Sequence, residues 1–189
     1  VNLGEQGNHQ KRFQRMFFPN SASDILRPDI VRYICGAYHP PNSVIASRIL
    51  PRWAQLGWLF MSTKTPKSQK ATMSAILYDI YSYNPSTDNV MNIEPAALLL
   101  VRSVPKYYAV SGEILRLLTN PPPSSIPATP RTESIHCTAQ AIRVLLKRNV
   151  IRPKELFRNV LGFPKIDAKI LQDFRSTFPN LKHPPAPHP

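Results

Sequence analysis

The chain has 189 residues, 24 Lys+Arg against 11 Asp+Glu for a formal charge of +13, and 42% hydrophobic residues. That apolar content suits a packed core rather than a disordered polyelectrolyte, and no apolar run approaches the roughly 18 residues of a membrane span. Two widely separated cysteines do not make a secreted disulfide scaffold. The length fits one domain or a slice of a larger one, and with no initiator Met or signal pattern at Val1 the sequence reads as a fragment.

Of 21 prolines, against six glycines, five fall in Pro121–Pro130 and four in Pro184–Pro189, and most of the other twelve stand near the ends of apolar periodic runs, where Pro fits a first helical turn or stops a helix. No alternating Val/Ile/Thr run lies between Asn-Gly or Asp-Gly turns, so the expected class is all-α, with about nine or ten short helices joined by proline corners. Cys35 falls in one such apolar pattern and Cys137 in another, which predicts buried, reduced thiols and an intracellular setting. Over Pro51–Met61, Trp53, Leu56, Gly57 and Phe60 share a face, Trp58 and Met61 cover much of the opposite side, and Arg52 and Gln55 form a narrow polar strip. A helix apolar nearly all round belongs inside, so this segment is the expected centre of the core, and Trp53→Ala is expected to cost about 3–5 kcal/mol.

Met73, Ile76, Leu77 and Ile80 then repeat at i, i+3, i+4, i+7 up to Asn84-Pro85. The next helix is expected to open at Asn92, with Glu94 in its first turn before Pro95, where a carboxylate complements the helix dipole. Tyr107, Val110, Ile114, Leu117 and Leu118 form another apolar face. The Pro/Ser-rich stretch 120–131 reads as an exposed, semi-extended loop. Beyond it, Ile135, Thr138, Ala139, Ile142, Leu145 and Leu146 make three turns of one face. Asp167 is the expected N-cap for the helix carrying Ile170, Leu171, Phe174 and Phe178, with Ile166 placed to staple onto Leu171. One helical domain over 1–182 and a disordered tail over 183–189 complete the expected organisation. Short antiparallel helices with all-round apolar members suggest a stacked, HEAT-like array.

Catalytic motifs are missing from the sequence. It has no G-x-S-x-G, Walker-type or dinucleotide glycine pattern, and no convincing carboxylate pair, so no enzyme, cofactor or metal is expected. His136-Cys137 is a lone adjacent pair whose side chains diverge on a helix. The charge is more informative. Ten of the Lys+Arg and only three acids lie beyond residue 140. Arg143/Lys147, Lys154/Arg158 and Lys165/Lys169 are each spaced i, i+4, an arrangement that works against local helix stability. These six form either a solvated face or a basic ridge for phosphates or an acidic partner. Aromatic residues do not interleave with them in sequence, which weakens a single-strand-binding reading.

Several strings carry a specific resemblance. Asp29-Ile30-Val31-Arg32-Tyr33-Ile34-Cys35-Gly36, His39-Pro40, Ile49-Leu50-Pro51-Arg52-Trp53-Ala54 with Gly57-Trp58-Leu59, Leu77-Tyr78-Asp79 and Met91-Asn92-Ile93-Glu94-Pro95-Ala96 occur in the same order as in the N-terminal domain of the Integrator complex subunit 3 family, which is also counted as part of the SOSS complex. The resemblance implies a non-catalytic, HEAT-like superhelical scaffold in the nucleus. Its implied partners are other Integrator subunits and, in the SOSS single-stranded-DNA sensor of DNA repair, an OB-fold single-strand-binding protein and a small third subunit. Nucleic acid would be met mainly through those partners. The Pro-rich stretch, the Pro/His tail and the basic last third depart from the family's pattern.

Overall fold

The computed structural model describes residues 3–41, 43, 51–104, 106–122 and 130–181. Residues 123–129 of the expected loop and the whole expected tail, with Ile49-Leu50 of the family-like strings, lie outside them. All regular structure among the described residues is helical. Eight α-helices have both ends among the described residues: α1 Leu3–Phe17, α2 Leu26–Arg32, α3 Arg52–Met61, α4 Pro66–Tyr81, α5 Val90–Arg102, α6 Tyr108–Thr119, α7 Arg131–Lys147 and α8 Ala168–Thr177. Short 3₁₀ turns occupy Ala22–Ile25 and Pro179–Leu181, and wider π-helical turns occupy Tyr33–Ala37 and Lys154–Val160. The chain divides into two units, residues 1–76 and 77–189, with α4 running through the boundary.

In the first unit, α2 and its π-helical extension pack on α3. Arg27, Val31 and Ile34, at i, i+4, i+7, form the buried line, and Cys35 beside them is buried and not disulfide-bonded. Helix α3 begins immediately after Pro51, which cannot donate from its nitrogen but whose carbonyl accepts from the amides of Ala54 and Gln55. Leu56, Gly57, Leu59 and Phe60 of α3 are buried. Three expectations for this helix need correction. Trp53 shares the buried arc but is only half-buried, because it sits in the first turn, where the large ring is only partly covered. Met61 is exposed rather than packed. Arg52, expected on the polar strip, is buried because its guanidinium donates to the carbonyls of Ile34 and Tyr38 at 3.1 Å each. Helix α4 opens with Pro66 in its first turn, and the Thr65 hydroxyl accepts from the Ser68 amide at 3.1 Å.

In the second unit, α5 packs on α6, α7 and the Lys154–Val160 turn, while α6 packs on α7 and α8. The core is conventional, with Ile93, Leu99, Ile114, Leu115, Leu145, Leu156 and Phe174 almost wholly buried. Two polar side chains tie helices through backbone carbonyls: Ser111 Oγ donates to Leu100 O at 2.8 Å and Tyr81 Oη to Leu117 O at 3.1 Å. Burial pushes the Tyr81 hydroxyl well above its ordinary pKa, so it remains a donor. Asp167 caps α8 as expected, accepting from the amides of Lys169 and Ile170. Helix α5 corrects the expected start at Asn92. Asn89 is the N-cap, accepting from the Met91 amide at 2.9 Å, which leaves Asn92 and Glu94 inside the helix and half-buried. Pro95 therefore lies in the helix interior rather than in its first turn. Helix α7 ends in a Schellman motif: Val150 N donates to Leu145 O and Asn149 N to Leu146 O, with Asn149 left-handed at φ 55°.

Candidate interaction surfaces

The six cations singled out from the sequence all reach solvent. Arg143 and Lys147 stand on α7, Lys154 and Arg158 on the π-helical turn, Lys165 between that turn and α8, and Lys169 on α8. Among the described residues none of the six makes a side-chain ion pair or hydrogen bond. Their supports differ: α7 and the π-helical turn pack on α5, whereas α8 packs on α6. Arg143 lines a groove of about 230 Å³ between the α7 face carrying Ile135, His136 and Ala139 and the segment after α8 around Phe178 and Pro179.

Sequence reasoning missed a different use of cations in the first unit. Arg27 is 0% exposed and donates through Nε to Asp24 Oδ1 at 2.9 Å, through Nη1 to Leu59 O and Ser62 Oγ, and through Nη2 to Ser62 O. Its guanidinium also lies 3.9 Å from the centroid of the Phe18 ring. The other Asp24 oxygen accepts from the Lys64 amide at 2.9 Å. Burial on its own would raise the Asp24 pKa, but the Lys64 amide and the Arg27 guanidinium outweigh it and hold the carboxyl below its ordinary value. One buried charge pair thus ties together the end of α1, the 3₁₀ turn, α2 and the end of α3. The Asp24–Arg27 spacing of i, i+3 was the available sequence signal.

Outside this node the first unit exposes large apolar side chains: Met16 and Phe17 at the end of α1, Ile25, Leu26 and Tyr33 along α2, and Met61 at the end of α3. Ile25 is 77% exposed. Leu26, Ile30 and Tyr33, at i, i+4, i+7, give α2 and its π-helical extension a second apolar line, about 100° round from the buried one, with Leu26 and Tyr33 exposed and Ile30 half-buried. A separate groove of about 390 Å³ is lined by Lys11, Gln14, Arg15, Phe18, Pro19 and Lys64 and carries no acid. The Lys64 ammonium is fixed there by the Phe18 carbonyl at 3.0 Å.

In the second unit, the fold joins two short segments that are far apart in sequence. Tyr108, the first residue of α6, lies 5.9 Å from Phe163 between ring centroids, and the Lys165 ammonium is 5.7 Å from the Tyr108 ring. The Lys106 ammonium is 5.4 Å from the Tyr107 ring.

No group of three or more His, Cys, Asp or Glu residues among those described could hold a metal ion, and no described helix is long and apolar enough to cross a membrane. Cys137 is a half-buried free thiol whose pKa is raised, first by burial and then by the carboxylates of Glu133 and Asp88.

Residues 1–176 match the family model described as Integrator complex subunit 3 N-terminal. Among curated proteins, Integrator complex subunit 3 of Danio rerio is 33% identical over 187 residues and that of Homo sapiens 32% over 187, in both cases across 99% of this chain. An Integrator complex subunit 3 homolog of Dictyostelium discoideum is 38% identical over 118 residues, covering 62% of this chain and 8% of its own length. The chain spans 18% of the length of the fish and human relatives.

Proposed function

This chain belongs to the Integrator complex subunit 3 N-terminal family, and from that premise we propose that it is a non-catalytic segment of an Integrator subunit that works by binding other proteins. The observation that carries this reading is the match across nearly the whole chain to proteins named for that complex. The second apolar line of α2 adds physical support, since stacked helices bind through faces of this kind. In this reading the helices form part of a HEAT-like scaffold over residues 1–182, located in the nucleus. Its partners are other Integrator subunits, acting on RNA polymerase II transcripts and small nuclear RNA 3′ ends. The OB-fold protein and small third subunit of the SOSS sensor, with a role in DNA repair, form a second partner set suggested by the family resemblance. Purification of the tagged full-length protein from nuclear extract tests both sets. Recovery of other Integrator subunits is expected, and their absence overturns the reading; an OB-fold protein in the same eluate distinguishes the SOSS assignment.

A second reading, direct contact with nucleic acid through Arg143, Lys147, Lys154, Arg158, Lys165 and Lys169, is favoured by the exposure of all six without acidic partners. Reversing Arg143, Lys147, Lys154 and Arg158 to Glu should then flatten the salt dependence of binding. Binding that is insensitive to salt would contradict it.

A further inference from the structure

We propose that Tyr107, Tyr108 and Phe163, bracketed by Lys106 and Lys165, form a stacking site for the bases of a single-stranded nucleic acid. The site is separate from the scaffold reading and, apart from Lys165, from the six-cation ridge. Tyr107 and Tyr108, adjacent in the chain, are 39% and 37% exposed, and Phe163 is half-buried beside Tyr108. The Tyr108 and Phe163 planes are inclined by 38°, so the two rings do not close face to face on each other. Both lysines are exposed, and each reaches a tyrosine ring from one side. The one carboxylate on α6, Glu113, is occupied by Arg116 at 2.7 and 2.8 Å, so no acid of that helix competes for the lysines.

This is the combination that sequence-tolerant single-strand binding uses: aromatic faces for the bases and ammonium groups for the adjoining phosphates. The fold assembles it from residues 106–108 and 163–165, so it is invisible as an interleaved pattern along the chain. An acidic peptide would satisfy the lysines but leave the tyrosine faces without a planar partner. Duplex DNA offers phosphates but keeps its bases stacked inside.

The test uses the intact chain with fluorescein-labelled dT15 and U15, read by anisotropy across a salt series, with a 15-base-pair DNA duplex as control. Both single strands, or one of the two, should bind more tightly than the duplex; the comparison of dT15 with U15 separates DNA from RNA preference. Tyr107→Ala with Tyr108→Ala should weaken binding by about tenfold or more without changing the salt slope, because stacking releases no counterions. Tyr107→Phe with Tyr108→Phe should stay within about twofold, and Lys106→Gln with Lys165→Gln should lower the slope. Thermal melting confirms that the variants remain folded. Failure of both oligonucleotides to bind, equal binding of duplex, or an alanine pair that binds like the parent would overturn the proposal. Because these readouts involve no other protein, they fail independently of the scaffold assignment.

Discussion

Particular cations of the two units are put to opposite uses. In residues 1–76, Arg27 and Arg52 are buried and hold backbone carbonyls of neighbouring segments, while Met16, Phe17, Ile25, Leu26, Tyr33 and Met61 face outward. In residues 77–189, the core is aliphatic and aromatic, and the six ridge cations face solvent without such bonds, although Arg131 and Arg175 each donate to one carbonyl, of Thr119 at 3.4 Å and of Leu161 at 2.7 Å; the large exposed hydrophobics among the described residues are tyrosines. Net charge therefore says little about what a given cation does. A guanidinium with five donors can replace a layer of apolar packing where several carbonyls converge, whereas an isolated exposed ammonium contributes little to stability. The first unit is accordingly suited to apolar partners, and the second presents charge and aromatic rings.

The sharpest way to break this comparison is Arg27→Met. It leaves Asp24 buried without its partner and frees the carbonyls of Leu59 and Ser62, so a loss of about 3–5 kcal/mol is expected in chemical denaturation. A loss below about 1 kcal/mol would show that the node is peripheral. Next comes a contrast within α3: Leu56→Ala, fully buried, should cost about 2–5 kcal/mol, and Trp53→Ala, half-buried, should cost less, reversing the ranking that the sequence suggests. In the second unit, Gly162→Ala would place a Cβ 2.5 Å from the Arg158 carbonyl oxygen, and a loss of about 1–3 kcal/mol is expected from the forced backbone shift. The smallest effect has the opposite sign. Thr138 is completely buried and its hydroxyl has no hydrogen-bond partner among the described residues, so Thr138→Val should raise the unfolding free energy by about 1 kcal/mol.

What could be read from the sequence was local. Asp167 followed by Ile170, Leu171, Phe174 and Phe178 gives cap and periodicity within one helix, and α8 has both. The line Met73, Ile76, Leu77, Ile80 is buried throughout for the same reason. Asn89 was missed because Pro95 pulled the expected start toward itself, as proline favours a first turn; neighbouring helices instead bury Pro95 in the interior. A helical wheel put Trp53 on the right face of α3 but could not tell how far a first-turn ring would be covered. The roles of Arg27 and Arg52 depend on carbonyls 14 to 35 residues away, and no local pattern reports these. The Tyr108–Phe163–Lys165 cluster is tertiary in the same sense. It sets one ridge cation, Lys165, beside the Tyr108 ring although the two are far apart in sequence.

The contrast between the buried guanidiniums that cement the first unit and the ridge cations that only clothe the second is tested most directly by two variants that remove the same charge. The measurement is the unfolding free energy of Arg27→Gln with Arg52→Gln beside that of Arg143→Gln with Lys147→Gln. A loss of several kcal/mol is expected for the buried pair and a change within about 0.5 kcal/mol for the exposed pair. Equal losses in the two variants would contradict the contrast.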